Sequence, residues 1–150
     1  MNLTGRRCSV LLPEISRSNK KRNERRPVTE IPNLDLLPMT AATNDAGHLT
    51  IGGCDVVSLT EMYGTPLYVY DEHTIRSMCR EFVDGFESEY ADSHISYSSK
   101  AFTNPALAQI LEEERVGIDV VTGGELAIVR AANFPANDLN FHGNNKDRVE

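Results

Sequence analysis

Hydrophobic and polar positions from Leu36 onward switch between the two-residue period of strands and the 3.6-residue period of helices. Short β-rich or alternating runs predict strands at 48–51, 67–70, 94–99, 117–121 and 139–142. Helices are predicted at 56–63, 105–114 and 124–132, and another is predicted to begin at Lys146. Strands that alternate with helices of this length indicate right-handed βαβ crossovers and a parallel sheet.

The clearest helical pattern follows Asp71 and Glu72, two acids that favour a helix N-terminus. Six apolar residues recur here at i, i+3, i+4, i+7, i+8 and i+11: Ile75, Met78, Cys79, Phe82, Val83 and Phe86. This spacing predicts one continuous apolar stripe that packs into the core.

Three strand–helix repeats fit before Glu150, whereas a closed (β/α)8 barrel needs about 250 residues. We therefore expect an α/β fold that is incomplete as a barrel. The predicted organisation is a disordered basic extension over 1–34, a lead-in with a short strand and helix over 35–66, and the first part of a barrel over 67–150.

Charge is unevenly distributed along the 150 residues. Residues 1–30 carry eight Lys or Arg against three Glu, whereas the other 120 carry seven basic and nineteen acidic residues. The basic segment is consistent with a nucleic-acid arm, an organelle transit peptide or a disordered extension, and its three acids weaken the transit interpretation. The acidic body argues against nucleic acid as the main partner.

Three cysteines, Cys8, Cys54 and Cys79, form no CxxC pair, and no secretory apolar region is present. We therefore expect a reducing cytoplasm. No apolar run reaches the roughly 18 residues that a membrane span needs, so no membrane partner is expected.

Strand alternation predicts which residues share a face of the sheet. The more apolar positions should face the helices, which leaves Lys100, Asp119 and His142 on the opposite face of three successive strands. Lys100 and His142 fall at carboxyl ends of strands, where parallel α/β folds place their sites.

A lysine in that position is a candidate Schiff-base former, because burial and neighbouring groups can supply its neutral amine. The alternative is a solvated lysine whose ion-pair partner is Asp119. A lone histidine such as His142 is more often structural. Gly123-Gly124 could cradle a phosphate at a helix start, but without a GxGxxG or P-loop pattern a tight turn is favoured. No metal site is expected.

Four segments in this order resemble the pyridoxal-phosphate (PLP) decarboxylases of the diaminopimelate type. They are 64–71 (GTPLYVYD), 97–102 (YSSKAF), 119–126 (DVVTGGEL) and 141–146 (FHGNNK), and 36–38 (LLP) with 48–53 (HLTIGG) resembles the family's lead-in. The resemblance covers about residues 36 to 150 and leaves the basic segment outside.

This resemblance implies an alanine-racemase-like (β/α)8 barrel, pyridoxal 5'-phosphate as cofactor and a homodimer. Lys100 matches the lysine that holds the cofactor covalently, and Asp119 matches the acid near that lysine. His142 lies in a block expected to bind the cofactor. The implied reaction converts meso-2,6-diaminopimelate to L-lysine and carbon dioxide.

The family's glycine-rich phosphate site, the acid at the pyridine nitrogen, the partner-subunit cysteine and a C-terminal β domain would all follow residue 150. We therefore expect these 150 residues alone to be inactive. Two alternatives stay open: a related ornithine, arginine or carboxynorspermidine decarboxylase, and a non-catalytic truncated homologue.

Overall fold

A computed structural model describes residues 31, 33–144 and 146. Residues 1–30, which hold most of the predicted basic extension, and the helix predicted to begin at Lys146 lie outside them. The chain divides into two compact parts, here called the N-terminal unit (up to Thr74) and the C-terminal unit (from Ile75).

The N-terminal unit contains a small antiparallel sheet in the order β1-β2-β3. Its strands are β1 (Ala42–Thr43), β2 (Leu49–Ile51) and β3 (Cys54–Asp55), with a 3₁₀ turn at Leu34–Leu36 and helix α1 at Val56–Tyr63. The strand predicted at 48–51 and the helix predicted at 56–63 are confirmed. β1 and β3 were not predicted, because two residues carry no measurable period.

Asp55 joins the sheet to α1. Its Oδ1 accepts hydrogen bonds from the backbone N–H groups of Val57 (2.8 Å) and Ser58 (3.2 Å), which caps the helix. Its Oδ2 lies 2.9 Å from His48 Nδ1, and the hydrogen bond with His48 is the main reason that the pKa of Asp55 is lowered to about 2.

The strand predicted at 67–70 is wrong: these residues form no strand. A strand is held by hydrogen bonds to a neighbour, and no strand in the described part of the chain pairs with this segment. Tyr68 is 84% exposed, so this β-forming side chain packs little against the rest of the described chain.

Helix α2 (Glu72–Glu89) begins directly after Asp71. The Asp71 carboxylate accepts hydrogen bonds from the Thr74 backbone N–H (3.3 Å) and the Thr40 hydroxyl (2.8 Å). Burial acts to raise the pKa of Asp71, but the hydrogen bonds from Thr74 and Thr40 outweigh it and the pKa is lowered. The acid therefore stays ionised at the helix N-terminus.

The C-terminal unit has the predicted parallel sheet, in the order β4-β5-β6. Its elements are β4 (Ser96–Ser98), α3 (Pro105–Glu113), β5 (Gly117–Val120), α4 (Gly123–Ala131), a 3₁₀ turn at Ala136–Asp138 and β6 (Leu139–Phe141). Each predicted repeat is confirmed to within two residues at its ends.

The core lies between this sheet and its helices. Ile118, Val120 and Val129 are completely buried. Partly buried apolar residues in β4 and β6, or directly before β4, complete the packing: Ile95, Tyr97, Leu139 and Phe141. The predicted helix-facing positions of all three strands are therefore confirmed.

The stripe predicted on α2 divides in two. Val83 is buried, and Ile75 and Cys79 pack against the core. Phe82 and Phe86, by contrast, are 54% and 50% exposed, and Met78 is also exposed. The prediction that the whole stripe packs into the core is wrong, because a helix offers only one narrow face to the sheet.

Gly117 opens β5 in a confined position. A Cβ atom here would lie 2.5 Å from His94 Nε2 and 2.9 Å from the backbone oxygen of Asp138. The sheet therefore has no room for a side chain at this residue without movement of the chain before β6.

Cys79 is a free thiol. No helix within the described ranges is long and apolar enough to cross a membrane.

Candidate functional site

A row of polar side chains crosses the sheet on the face away from the helices. Asp119 stands in the middle strand, where the register pairs it with Ser98 of β4 and Asn140 of β6. Its Oδ1 accepts one hydrogen bond from the Ser96 hydroxyl (2.8 Å) and another from Asn140 Nδ2 (3.0 Å). Two donors on one oxygen fix the orientation of the carboxylate.

The second oxygen of Asp119 is left for another group. None of the described residues forms a hydrogen bond or an ion pair with Asp119 Oδ2. The side chain is only partly buried, so this oxygen is available to a cation or a hydrogen-bond donor that approaches the face.

Lys100 lies in the turn that follows β4 and is exposed. The pairing with β5 continues past the strand, because the Ser99 backbone N–H donates to the Asp119 carbonyl oxygen at 3.0 Å. Lys100 thus follows Ser98, the cross-strand partner of Asp119, by two residues, in a turn closed by the hydrogen bond from the Ala101 N–H to the Ser98 carbonyl oxygen (3.2 Å). Among the described contacts, none joins Lys100, Asp119 and His142 to one another.

His142 follows β6 at the same end of the sheet and is exposed. Its backbone N–H donates to the Val120 carbonyl oxygen (2.8 Å), which extends the pairing of β5 and β6 by one residue. Lys146 folds back on the same strand: its Nζ donates to the Phe141 carbonyl oxygen and lies 4.8 Å from the centre of the Phe141 ring.

The Gly123-Gly124 segment opens α4 as a capped helix start. Glu125 accepts hydrogen bonds at Oε2 from the backbone N–H groups of Val121 (2.6 Å) and Thr122 (3.2 Å), and the Thr122 hydroxyl accepts one from the Glu125 N–H. This is a capping box. The hydrogen bond from Val121 is the main cause of the lowered pKa of Glu125. A fixed carboxylate at this helix end repels a phosphate.

Ser96 and Asn140 are missing from the predicted site residues, because the sequence pattern gives no reason to join them to Asp119. Alternation gives the face, whereas the partnership depends on the register of three strands. The Thr122–Glu125 spacing is the capping-box signature and would have predicted the capping role of Glu125.

Residues 73–150 match the family described as "Pyridoxal-dependent decarboxylase, pyridoxal binding domain". The match covers more than half of the chain, and the chain belongs to this family.

Curated relatives are more specific about the branch. The chain is 50% identical over 111 residues to the diaminopimelate decarboxylase of Bacillus subtilis, covering 74% of this chain and 25% of the relative. It is 40% identical over 133 residues to the diaminopimelate decarboxylase of Synechocystis, covering 83% of this chain and 28% of the relative. The chain therefore spans about a quarter of the length of these relatives.

Solved structures agree in fold. The diaminopimelate decarboxylase of M. jannaschii, in co-complex with L-lysine, is 35% identical with a TM-score of 0.63, over 74% of this chain and 26% of that one. AQ1208 from Aquifex aeolicus is 32% identical with a TM-score of 0.61, over 74% of this chain and 27% of that one. The three βα repeats are thus part of a (β/α)8 barrel.

Proposed function

We propose that this chain forms the first part of the PLP-binding barrel of an enzyme that converts meso-2,6-diaminopimelate to L-lysine and carbon dioxide. The named activity of its relatives supports the reaction, and the L-lysine complex of the M. jannaschii structure supports the product. The observation that carries the proposal is the position of Lys100, exposed at the carboxyl end of β4 and two residues beyond the partner of Asp119.

Lys100 Nζ is the proposed point of covalent attachment for PLP. An amine attacks an aldehyde only where the aldehyde can reach it, and the exposed turn after β4 meets that condition. Asp119 Oδ2 is proposed to accept a hydrogen bond from the lysine or from the bound cofactor. His142 is proposed to contact the cofactor from the end of β6.

The described residues fit the aldehyde end of PLP better than its phosphate. Lys100 provides the primary amine, whereas the Glu125 carboxylate occupies the start of α4, where it accepts from the N–H groups of Val121 and Thr122 just before the helix. When bound, PLP supplies the electron sink that accepts the electron pair released with carbon dioxide. The protein's own contribution on this face is to hold the amine and one oriented carboxylate.

We also propose that the 150-residue protein does not decarboxylate diaminopimelate by itself. The described face offers no phosphate anchor, so PLP should be weakly held. Lysine formation by the purified protein with PLP and meso-diaminopimelate would contradict this. A homodimer and a cytoplasmic location are proposed for the whole enzyme; sedimentation velocity and cell fractionation would test them.

Chemical trapping tests the assignment of Lys100. The protein is incubated with PLP, reduced with borohydride and digested, and the labelled lysine is identified by mass spectrometry. We expect the label on Lys100, its loss in Lys100→Ala, and its retention in the control Lys146→Ala, which removes another exposed lysine, next to β6. Equal labelling of Lys100→Ala and the unsubstituted protein would refute the assignment.

A chimera tests the reaction. Residues 36–146 of this chain replace the matching segment of the Bacillus subtilis relative, and lysine formation is measured with meso-diaminopimelate, ornithine and arginine as separate substrates. We expect activity with diaminopimelate only, and none in the Lys100→Ala chimera. Preference for ornithine or arginine would identify a different decarboxylase.

A further inference from the structure

The turn that carries Lys100 is held by side-chain hydroxyl groups on both sides of that residue. Before Lys100, the Ser99 carbonyl oxygen accepts a hydrogen bond from the Thr103 hydroxyl at 2.6 Å. After Lys100, the Phe102 carbonyl oxygen accepts a hydrogen bond from the Tyr97 hydroxyl at 3.0 Å. Two side chains thus restrain the main chain on either side of the candidate amine.

Backbone hydrogen bonds restrain the same turn at its base. The Ser99 N–H donates to the Asp119 carbonyl oxygen of β5 (3.0 Å), and the Ala101 N–H donates to the Ser98 carbonyl oxygen (3.2 Å). Ser99 is buried, whereas Lys100 is exposed. The Lys100 side chain is therefore the exposed part of a turn whose main chain is held from several directions.

Thr103 connects one end of the turn to helix α3. The next residue, Asn104, caps this helix, because its side-chain oxygen accepts a hydrogen bond from the Leu107 N–H at 2.7 Å. Leu107 and Leu111 of α3 are buried in the core. The hydrogen bond of Thr103 to Ser99 therefore ties the turn to a helix that is itself firmly packed.

Tyr97 connects the other end of the turn to the core. It lies on the helix side of β4, where the register pairs it with the completely buried Ile118, and it packs against the core. Successive residues of a strand point to opposite faces, so Tyr97 is directed away from the face of Ser96 and Asp119. It can therefore act on Lys100 through the main chain of the turn, and not through contact with a molecule bound on the candidate face.

A restrained turn matters because covalent attachment requires an amine in a defined place. Misplacement of a reacting group by about 1 Å can slow a reaction roughly 100-fold. A lysine side chain is long and flexible, and a mobile main chain would add to the arrangements that must be given up when the amine reacts. The two hydroxyl groups reduce that number before any aldehyde is present.

We infer that the hydroxyl groups of Tyr97 and Thr103 position the Lys100 amine for covalent attachment of PLP. Attachment joins the amine nitrogen to the aldehyde carbon and releases one molecule of water. Tyr97 and Thr103 are positioning residues, because they act through the turn. The inference rests on the proposed function for the identity of the aldehyde, whereas the restraint on the turn does not depend on it.

Hydrogen exchange of the 150-residue protein, followed by NMR, tests the restraint without any cofactor. Tyr97→Phe removes the hydroxyl group and keeps the ring. We expect the amide of Ala101 to exchange about fivefold faster in this variant, the factor that corresponds to loss of one ordinary hydrogen bond. Tyr90→Phe, the matched control, removes a hydroxyl group from a tyrosine that is 72% exposed and should leave exchange at Ala101 unchanged.

Borohydride trapping provides the second measurement. The initial rate of PLP labelling on Lys100, per folded molecule, should fall by about threefold or more in Tyr97→Phe and in Thr103→Val. Labelling of Lys146 in the same samples should not change. Thr103→Ser keeps a hydroxyl group at this position and should restore the rate on Lys100, which a loss of packing alone would not predict.

Unchanged exchange at Ala101 in Tyr97→Phe would overturn the inference. So would faster exchange with an unchanged rate on Lys100, or an equal loss of labelling on Lys100 and Lys146, which general unfolding produces. If Tyr97→Phe does not fold, the comparison of Thr103→Val with Thr103→Ser decides by the same measurements. Absence of label on Lys100 in the unsubstituted protein refutes the proposed function instead, and exchange at Ala101 then decides alone whether Tyr97 restrains the turn.

Discussion

The two faces of β5 differ in burial and in polarity. On the helix side, Ile118 and Val120 are completely buried among apolar residues. On the other side, Asp119 is partly exposed and held by one hydroxyl and one amide. Four consecutive residues thus supply stability on one face and candidate chemistry on the other, so substitutions on the two faces should have separable effects.

The largest effect on stability is expected on the helix side. Ile118→Ala removes three buried carbons and leaves a cavity, which should lower the free energy of unfolding by about 3 kcal/mol. Ile118→Val should cost about 1 kcal/mol. Urea unfolding measures both. Trapping of PLP on Lys100, expressed per folded molecule, should not change. A loss of trapping per folded molecule would show that substitutions on the two faces do not have separable effects.

The opposite result is expected for Asp119→Asn. The amide oxygen can still accept from Ser96 and Asn140, so the free energy of unfolding should change by about 1 kcal/mol or less. The negative charge is lost, however, and borohydride trapping of limiting PLP on Lys100 should fall severalfold. Asp138→Asn is the control for removal of a nearby acid. Unchanged trapping in Asp119→Asn would remove Asp119 from the proposed site.

Ser96→Ala and Asn140→Ala sharpen the comparison further. Each removes one donor from the same oxygen of Asp119 and should cost about 1 kcal/mol of stability. Because the two donors share one acceptor, the double variant should depart from the sum of the single effects by about 0.5 kcal/mol or more. Strict additivity would mean that the row does not act as one network.

The smallest effect is a pH dependence at the start of α4. The pKa of Glu125 is lowered from its ordinary value of 4.5, so the carboxylate stabilises the folded protein above that pH. The stabilisation should disappear as the pH falls below about 4.5 and the carboxylate becomes protonated. Comparison with Glu125→Gln isolates this effect, because the amide does not titrate. A stability difference that persists unchanged at about pH 3 would contradict it.

Local patterns predicted the regular elements well and their surroundings poorly. α1 has the predicted bounds because Asp55 and Gly64 mark its two ends. The segment 67–70 has equally strong β-forming residues but no neighbouring strand in the described chain, and the sequence of the segment cannot report this. Likewise, the period of α2 located the apolar residues correctly but could not separate Val83, which faces the core, from Phe86, which does not.

For the candidate site, too, the sequence predicted the faces of individual residues but not the contacts between strands. Alternation predicted that Lys100 and Asp119 share one face, since successive side chains of a strand point to opposite faces. For Lys100, which lies in the turn after β4, this stays a prediction. The hydrogen bonds of Ser96 and Asn140 to Asp119 depend on how the three strands align, and a slip of one residue would have separated them. Register is a tertiary property. It brings the Ser96 hydroxyl and the Asn140 amide within hydrogen-bond distance of Asp119, and these two bonds orient the carboxylate.

Gly117 has a consequence for how this sequence can vary. Alanine, the smallest replacement, would already meet the Asp138 carbonyl oxygen at 2.9 Å, so even that change would push β6 away from β5. In a library that samples every amino acid at every position, residue 117 should tolerate fewer replacements than Asp119. The absence of a side chain at residue 117 thus limits which sequences can keep β5 and β6, the strands of Asp119 and Asn140, at their present spacing.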